Sequence, residues 1–120
     1  MSTGADYSSN TIERTYPHWL DAECTTREVF SRLGELELSE QEREHVTLGI
    51  YTRPEEFRFS SLPQTVDHSE LRWTVDYPSD LDFVRSVYDA LYDANPTFSS
   101  HDVIELLRAR PALRHTAKSI

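Results

Sequence analysis

The chain has 120 residues, with 21 acidic against 12 basic side chains and a formal net charge of −9. A chain of this length forms one domain or a part of one, and 38% apolar residues are enough for a modest core. Nucleic acids and anionic membranes repel a polyanion, so we expect neither as a partner. A single cysteine excludes an internal disulfide and a multi-cysteine metal site, which favours the cytoplasm as location.

The N-terminal segment lacks targeting signals. No stretch contains the ~18 consecutive apolar residues of a membrane span. Residues 1–10 also lack the cationic flank and apolar run of a signal peptide. Because these ten residues are small and polar, we predict a flexible N-terminus over residues 1–10 and a folded domain over residues 11–120.

Helix starts are marked by residue pairs with the spacing of a capping box, which satisfies free backbone amides. There are three such pairs: Thr25 and Glu28, Ser39 and Glu42, and Ser99 and Asp102. The first helix is expected to end at Gly34, the second near Thr52 with Val46 and Ile50 facing inward, and the third near Arg110. A fourth helix is predicted from Pro78, because apolar residues recur after it at helical spacing.

Three short segments have the composition of strands: residues 21–25, 57–62 and 71–75. The last is the best strand candidate, because it contains Trp73 and two β-branched residues. Strands that alternate with helices predict an α/β fold, here with a short three-stranded sheet and about four helices. A sheet this narrow looks incomplete by itself.

A first candidate binding patch combines Arg14 and Tyr16 with Asp21 and Glu23. The guanidinium fork and the phenol can hold a polyhydroxylated or anionic ligand, and the carboxylates can accept hydrogen bonds from sugar hydroxyls. The alternative is a surface loop with Tyr16 packed on the fold. The spacing alone leaves both interpretations open.

A second candidate is His45, which lies in the acidic second helix beside Glu44. Its imidazole can donate to a carboxylate or hydroxyl of a substrate. Alternatively, it is a partly buried packing residue, with Glu42 and Glu44 on a solvated face.

Asp76 is the third candidate, because it follows the predicted strand 71–75 and precedes a helix. In open α/β sheets, ligands and metal ions gather at the carboxyl ends of strands. A carboxylate there can bind Mg²⁺ together with phosphate oxygens and water. Asp76 can equally cap the helix that follows.

These patches occur in an order that resembles a known family. The matching segments are residues 7–10, 14–17, 20–23, 42–47 and 71–81. Together they are similar to the C-terminal half of the cytidylyltransferase-like spore coat polysaccharide biosynthesis protein F family. More distant relatives are the 3-deoxy-manno-octulosonate and N-acylneuraminate cytidylyltransferases. The likeness extends from about Asp6 to about Leu113.

The resemblance implies part of a Rossmann-like nucleotide-diphospho-sugar transferase fold. Enzymes of this type make a CMP-sugar from CTP and, here, an acidic or amino sugar, with Mg²⁺ as cofactor. The resemblance implies Asp76 as a metal ligand. It also implies sugar contacts at five residues: Arg14, Tyr16, Asp21, Glu23 and His45. In such enzymes this half supplies sugar contacts and the dimer interface rather than catalytic residues.

The chain departs from the family pattern at several points. Its glycines are isolated, so it lacks the basic glycine-containing loop that wraps the CTP phosphates, and the first metal aspartate is absent too. Trp19 stands where a glycine is usual and is positioned to fill the sugar pocket, and Leu48 replaces a usual proline. Nucleotidyl transfer depends on charge stabilisation by cations and amides. We therefore expect the chain to be inactive alone, with Mg²⁺ bound only in a complete enzyme formed with a complementing nucleotide-binding half.

Two other functions are compatible with the sequence. The chain can be a non-catalytic module that kept the fold as an oligomerisation or binding surface, most simply as a homodimer. It can also be an acidic adaptor for a basic partner, which only the charge of −9 suggests.

Overall fold

The computed structural model describes residues 4–119 and divides them into two compact units. Unit 1 comprises the described residues up to Thr15 together with Asp21–Val66. Unit 2 comprises Tyr16–Leu20 together with the described residues from Asp67 onwards. Within residues 4–119, no helix has both the length and the apolar character needed to cross a bilayer.

Unit 1 contains a mixed three-stranded sheet. The central strand, β1 (Tyr7–Ser9), pairs antiparallel with β2 (Glu23–Thr25) and parallel with β3 (Phe59–Ser61). The strands predicted at residues 21–25 and 57–62 are thereby confirmed.

The prediction of a flexible N-terminus is wrong for β1. All three residues of this strand are buried, because it has a neighbour on each side. Its serines gave it the composition of a loop, but a central strand obtains its backbone hydrogen bonds from both partners whatever its own β-propensity. Residues 1–3, which belong to the same prediction, lie outside the described residues.

Three short helices complete unit 1: α1 (Arg27–Gly34), α2 (Glu40–Glu44) and α3 (Leu48–Tyr51). The capping box of Ser39 and Glu42 is confirmed, and α1 ends at Gly34 as predicted. The cap of α1 is Thr26 rather than Thr25, since the Thr26 hydroxyl accepts from the Val29 amide at 3.1 Å.

The single helix predicted from Ser39 to Thr52 is interrupted at His45. This residue has a ψ of 71° and ends α2, and its carbonyl accepts from the Leu48 amide at 2.6 Å. The interruption lets α3 approach α1 very closely at Gly49. A Cβ atom at this position would lie only 2.7 Å from Leu33 Cδ1. It also turns Val46 outward, which is 56% exposed although the helical pattern predicted it to face inward.

The core of unit 1 lies between the sheet and these helices. Its buried side chains are Tyr7, Val29, Leu33, Ile50 and Phe57. Tyr7 is the only one of them with a polar end, and its ring packs edge-on against Phe59 at a centroid distance of 5.5 Å.

Unit 2 is helical. Its long helices, α4 (Pro78–Leu91) and α5 (Ser100–Ala109), are followed by two short 3₁₀ turns, Pro111–Leu113 and Ala117–Ser119. Pro78 in the first turn of α4 and the capping box of Ser99 and Asp102 at α5 are both confirmed. The buried apolar side chains of this unit form one cluster: Leu71, Phe83, Val87, Val103, Leu106 and Leu107.

The strand predicted at residues 71–75 is wrong. Only Leu71 and Arg72 make β-bridges, each an isolated one, to Thr116 and His18 respectively. The Trp73 amide donates to the His18 carbonyl at 3.1 Å, but within the described chain no bridge continues the ladder beyond Arg72. β-Propensity expresses how well a residue fits a sheet surface, so it cannot form a strand without partners.

A buried carboxylate organises the start of α4. Asp80 is fully buried, and Arg72 donates to both of its oxygens, from Nε at 2.9 Å and from Nη2 at 3.0 Å. The backbone amides of Asp76 and Tyr77 each donate to Oδ2 at 2.9 Å. His115 Nε2 lies 2.6 Å from Oδ1, and it must be the donor because an ionised carboxylate can only accept.

These donors stabilise the ionised form of Asp80. The Arg72 guanidinium, followed by the His115 imidazole and the two amides, lowers the pKa of the Asp80 carboxyl far below its usual range. Asp80 reciprocally raises the pKa of Arg72. The unfolded chain therefore binds a proton at Asp80 at a higher pH than the folded chain does. The resulting stabilisation is complete above the ordinary aspartate pKa of 3.8 and is lost as the pH falls towards the lower folded-state pKa.

We predict that Asp80→Asn lowers the midpoint of thermal unfolding much more than Asp76→Asn does. The asparagine side chain carries no charge, so Arg72 loses its buried counter-charge. It also has only one oxygen to accept the hydrogen bonds that Asp80 receives on two. Thermal unfolding followed by circular dichroism at pH 7 and at pH 3 measures both effects. The loss of stability on acidification should be smaller in Asp80→Asn than in the unmodified chain. Equal midpoints for the two variants would contradict this account of unit 2.

Candidate functional site

A cleft of about 800 Å³ lies in unit 1, next to the ends of β1 and β2. The other wall is the segment between α2 and α3 that the interruption at His45 exposes. Polar and ionisable residues dominate its lining: Tyr7, Thr11, Arg14, Asp21, Glu23, Glu44, His45, Thr47 and Tyr51, with Ile12, Val46 and Phe59. Four of the five sugar contacts predicted from the sequence therefore share one cleft.

Glu23 is the best-positioned carboxylate of this cleft. Its Oε1 atom accepts a hydrogen bond from the Tyr7 hydroxyl at 2.5 Å and another from the Thr47 hydroxyl at 2.7 Å. Burial, together with the hydrogen bond to Glu23, raises the pKa of Tyr7 to about 12. The raised pKa keeps the Tyr7 hydroxyl protonated, and therefore a donor to Glu23, well above physiological pH.

Arg14 and Asp21 form an ion pair in the same cleft. Arg14 Nη1 donates to Asp21 Oδ1 at 3.1 Å, and Nη2 lies 3.4 Å from Oδ2. Both side chains remain well exposed. Two members of the candidate patch therefore do meet, but the guanidinium fork is occupied by the carboxylate.

His45 lines the cleft from the end of α2, between Glu44 and Val46. It is exposed, so the packing interpretation of this residue does not hold. Its imidazole and the Glu44 carboxylate add a hydrogen-bond donor and a third carboxylate to the lining.

Tyr16 is the one predicted sugar contact that does not line this cleft. It belongs to unit 2, is half-buried, and is not among the residues that line the cleft of unit 1. All five sugar contacts stay predictions. Four of them lie in this cleft, namely Arg14, Asp21, Glu23 and His45, and Tyr16 does not.

Asp76 lies in unit 2, in the turn before α4 rather than at the end of a strand. Its carboxylate is 65% exposed, and Oδ2 accepts from Arg72 Nη2 at 3.0 Å. It does not cap α4, because the N-cap residue is Tyr77 and the Asp76 side chain accepts from Arg72 instead. Among residues 4–119, no group of three or more His, Cys, Asp or Glu side chains is arranged to hold a metal ion. The assignment of Asp76 as a metal ligand therefore stays a prediction.

Two residues of the cleft are not expected from the sequence: Tyr7 falls in the segment predicted to be flexible, and Thr47 falls within the predicted second helix. Glu44 is exposed, as the solvated-face alternative predicts, and it also lines the cleft. The register of β1 and β2 would have revealed Tyr7, because Tyr7 lies opposite Thr25 and diagonal to Glu23 on the same face of the sheet.

Comparison with solved structures identifies the architecture. A cytidylyltransferase from Leptospira borgpetersenii serovar Hardjo-bovis (strain JB197) is similar to this chain, with a TM-score of 0.81 and 25% sequence identity. The chain has a cytidylyltransferase-like fold. The alignment covers 92% of this chain but 46% of the Leptospira protein, so the chain spans about half of its length. No family model matches the chain, and no curated protein sequence matches it.

The backbone at Trp19 explains why the family resemblance leads us to expect a glycine at this position. The Leu20 amide donates to the Pro17 carbonyl at 3.2 Å, which closes a tight turn with Trp19 as its third residue. Trp19 has a φ of 95°, the positive value that the third position of a type II turn requires and that favours glycine. Its side chain is 70% exposed, so it does not fill a pocket as we expected.

We predict that Trp19→Gly is more stable than Trp19→Ala by about 1–2 kcal/mol. Both substitutions remove the same exposed indole, but only glycine relieves the strain of a positive φ. Urea unfolding of the two variants measures the difference. A more stable alanine variant would show that the turn does not hold this conformation in solution.

Proposed function

We propose that this chain is the sugar-side half of a CMP-sugar-forming cytidylyltransferase of the spore coat polysaccharide biosynthesis protein F type. The observation that carries the proposal is the cleft of unit 1, which gathers Arg14, Asp21, Glu23 and His45. The cytidylyltransferase-like fold supports it. Because CTP and Mg²⁺ are available in the cytoplasm, we place the reaction there.

The cleft suits a polyhydroxylated ligand. Glu23 and Asp21 offer carboxylate oxygens, which accept strong hydrogen bonds from hydroxyls. His45 can donate as well as accept, according to its tautomer, and the Thr47 hydroxyl, which donates its proton to Glu23, can accept. Glu23 is held by two hydroxyl donors, so it meets a sugar without first having to be ordered.

The nucleotide side of the reaction is assigned to another polypeptide segment. A triphosphate needs cationic and amide donors, whereas this chain carries a charge of −9 and its three glycines are isolated. In the complete enzyme, we propose that the exposed oxygen of Asp76 supplies one ligand to Mg²⁺. The metal would neutralise charge on the phosphates of CTP, and by itself the chain would be inactive.

We predict that pyrophosphate is released when this chain is mixed with the part of the Leptospira cytidylyltransferase that it does not cover, CTP, Mg²⁺ and a panel of sugars. Neither component should release it alone. Glu23→Gln should lower kcat/KM by roughly tenfold to a hundredfold, since it removes a charged acceptor from the sugar cleft. A coupled pyrophosphate assay provides the measurement.

Glu37→Gln is the matched control for this assay, because Glu37 is an exposed glutamate of unit 1 outside the cleft. It should leave kcat/KM unchanged. Absence of pyrophosphate across acidic, amino and neutral sugars would contradict the proposed function, and equal activity of Glu23→Gln would contradict the role of the cleft.

A second candidate function is suggested by the exposed face of α4. Large side chains follow one another there at helical spacing and are 39–53% exposed: Tyr77, Leu81, Tyr88 and Tyr92. The opposite face of α4 is already buried through Phe83 and Val87. Aromatic residues are enriched in subunit interfaces, so this stripe suits a second copy of the chain, as in a non-catalytic homodimer.

We predict that Tyr92→Glu shifts the chain from dimer to monomer in size-exclusion chromatography with light scattering. A charge in a self-complementary interface is doubled by symmetry, and dimerisation should weaken at least about tenfold. Phe30→Glu, an equally exposed aromatic position on α1, serves as control. A monomer at every concentration tested, or a dimer unaffected by Tyr92→Glu, would eliminate the α4 interface.

A further inference from the structure

We infer that the outer edge of β2 pairs with a β-strand of the nucleotide-binding half, so that the sheet of unit 1 continues into that partner. This inference rests on the proposed function, since it names the surface that holds the complementing half. It is carried by the register of β1 and β2, by the exposure of β2 and by the share of the Leptospira cytidylyltransferase that the chain covers.

The register shows which backbone groups of β2 face outward. Asn10 and Ala22 continue the pairing of β1 with β2, and the Asn10 amide donates to the Ala22 carbonyl at 3.2 Å. In an antiparallel pair, residues that bond to the neighbouring strand alternate with residues whose backbone groups point away from it. Cys24 therefore faces β1, whereas the amides and carbonyls of Glu23 and Thr25 point outward.

These four outward groups form an open edge. Among residues 4–119, no hydrogen bond reaches the backbone amides or carbonyls of Glu23 and Thr25 on this side. β2 is an outer strand in the order β2-β1-β3, and two of its three residues are exposed. An open edge of this kind can bind an added strand through main-chain hydrogen bonds.

The opposite edge of the sheet is less suited to a partner. In the parallel pair of β1 and β3, the Leu62 amide donates to the Ser9 carbonyl, so Phe59 and Ser61 face outward. The next residue on that side is Pro63, which has no amide hydrogen to donate. Proline protects edge strands from pairing, and β3 is also half-buried along its whole length.

The nucleotide-binding half is the occupant that fits the position of β2. The chain spans 46% of the Leptospira cytidylyltransferase, and its sheet has three strands, fewer than is usual. β2 also contributes Glu23 to the lining of the cleft. A partner strand beside β2 would therefore bring the nucleotide-binding half next to the proposed sugar site, as transfer between two bound substrates requires.

A second copy of the chain is a poorer occupant of this edge. Pairing of β2 with itself would bring together two chains that each carry a charge of −9. Glu23 would also lie on both strands of the new pair, where like charges destabilise a sheet. A half that binds a triphosphate instead needs cationic groups, so charge favours the nucleotide-binding half.

The test co-expresses the full chain with the part of the Leptospira cytidylyltransferase that it does not cover. We expect the two to purify as a complex, in which the backbone amides of Glu23 and Thr25 exchange with deuterium at least about tenfold more slowly than in the chain alone. The Ser61 amide, on the opposite edge, should exchange equally fast in both. Hydrogen exchange followed by NMR measures all three amides.

Proline substitutions identify the edge that is used. Thr25→Pro removes an outward amide without breaking a hydrogen bond to β1, so it should weaken the complex at least about tenfold. Ser61→Pro makes the same change on β3 and should leave the affinity unaltered. Thr25→Val controls for the loss of the hydroxyl, which donates to the Asp6 carbonyl, and should bind normally. Calorimetry measures the affinities, and circular dichroism verifies that each variant is folded.

Several results would overturn the inference. They are the absence of a complex, protection of Ser61 in place of Glu23 and Thr25, and a folded Thr25→Pro variant that binds as tightly as the unmodified chain. Slow exchange of the Glu23 and Thr25 amides in the chain alone would show that a second copy covers the edge, which also overturns it. If Thr25→Pro does not fold, the exchange rates of the unmodified chain decide.

The inference and the proposed function fail differently. A complex that is held by the β2 edge but releases no pyrophosphate would refute the proposed function and leave the inference standing. Pyrophosphate release that Thr25→Pro does not affect would refute the inference and leave the proposed function standing.

Discussion

The hydrogen bond from Tyr7 to Glu23 joins the hydrophobic core of unit 1 to its cleft. The ring of Tyr7 is buried among the core side chains, while its hydroxyl reaches the cleft carboxylate at 2.5 Å. The register of β1 and β2 makes this contact possible, because diagonal neighbours on one sheet face lie within reach of long side chains. Any change that shifts this register by one residue would turn Tyr7 to the other face and remove the donor.

The other wall of the cleft depends on a local failure of helix continuation. If residues 39–52 formed one continuous helix, Thr47 would lie in the middle of that helix rather than in the segment that connects α2 and α3. The interruption at His45 instead places Thr47 within 2.7 Å of Glu23 and lets Gly49 approach Leu33. The same backbone irregularity thus packs α3 onto the core and forms the polar wall, which explains why both features occur together.

The extent to which the sequence predicted this structure follows the range of the interactions. The boxes of Ser39 and Ser99 were predicted because a cap is formed within four residues. β1 was not predicted, and a strand at residues 71–75 was predicted in error. Both errors have one cause, because strand formation depends on partners that are distant in the chain. Asp76 attracted the functional interpretation, yet its neighbour Asp80 holds the local structure, because only the fold brings His115 to it. The family resemblance grouped Arg14, Asp21, Glu23 and His45 as sugar contacts, and these four residues share one cleft. Hydrophobic periodicity alone would not have grouped them.

The electrostatics of the two units support a division of labour in the proposed enzyme. In unit 2, the buried Asp80 engages Nε and Nη2 of Arg72, and Asp76 shares Nη2, so this guanidinium is neutralised before any phosphate arrives. In unit 1, Arg14 is neutralised by Asp21 in the same way. Neither arginine is therefore free to bind a triphosphate, whereas carboxylate oxygens of the cleft and of Asp76 can accept from hydroxyls or bind one side of a metal ion. The pairing of Arg14 and of Arg72 with carboxylates is consistent with the proposed acceptor-sugar role of the chain.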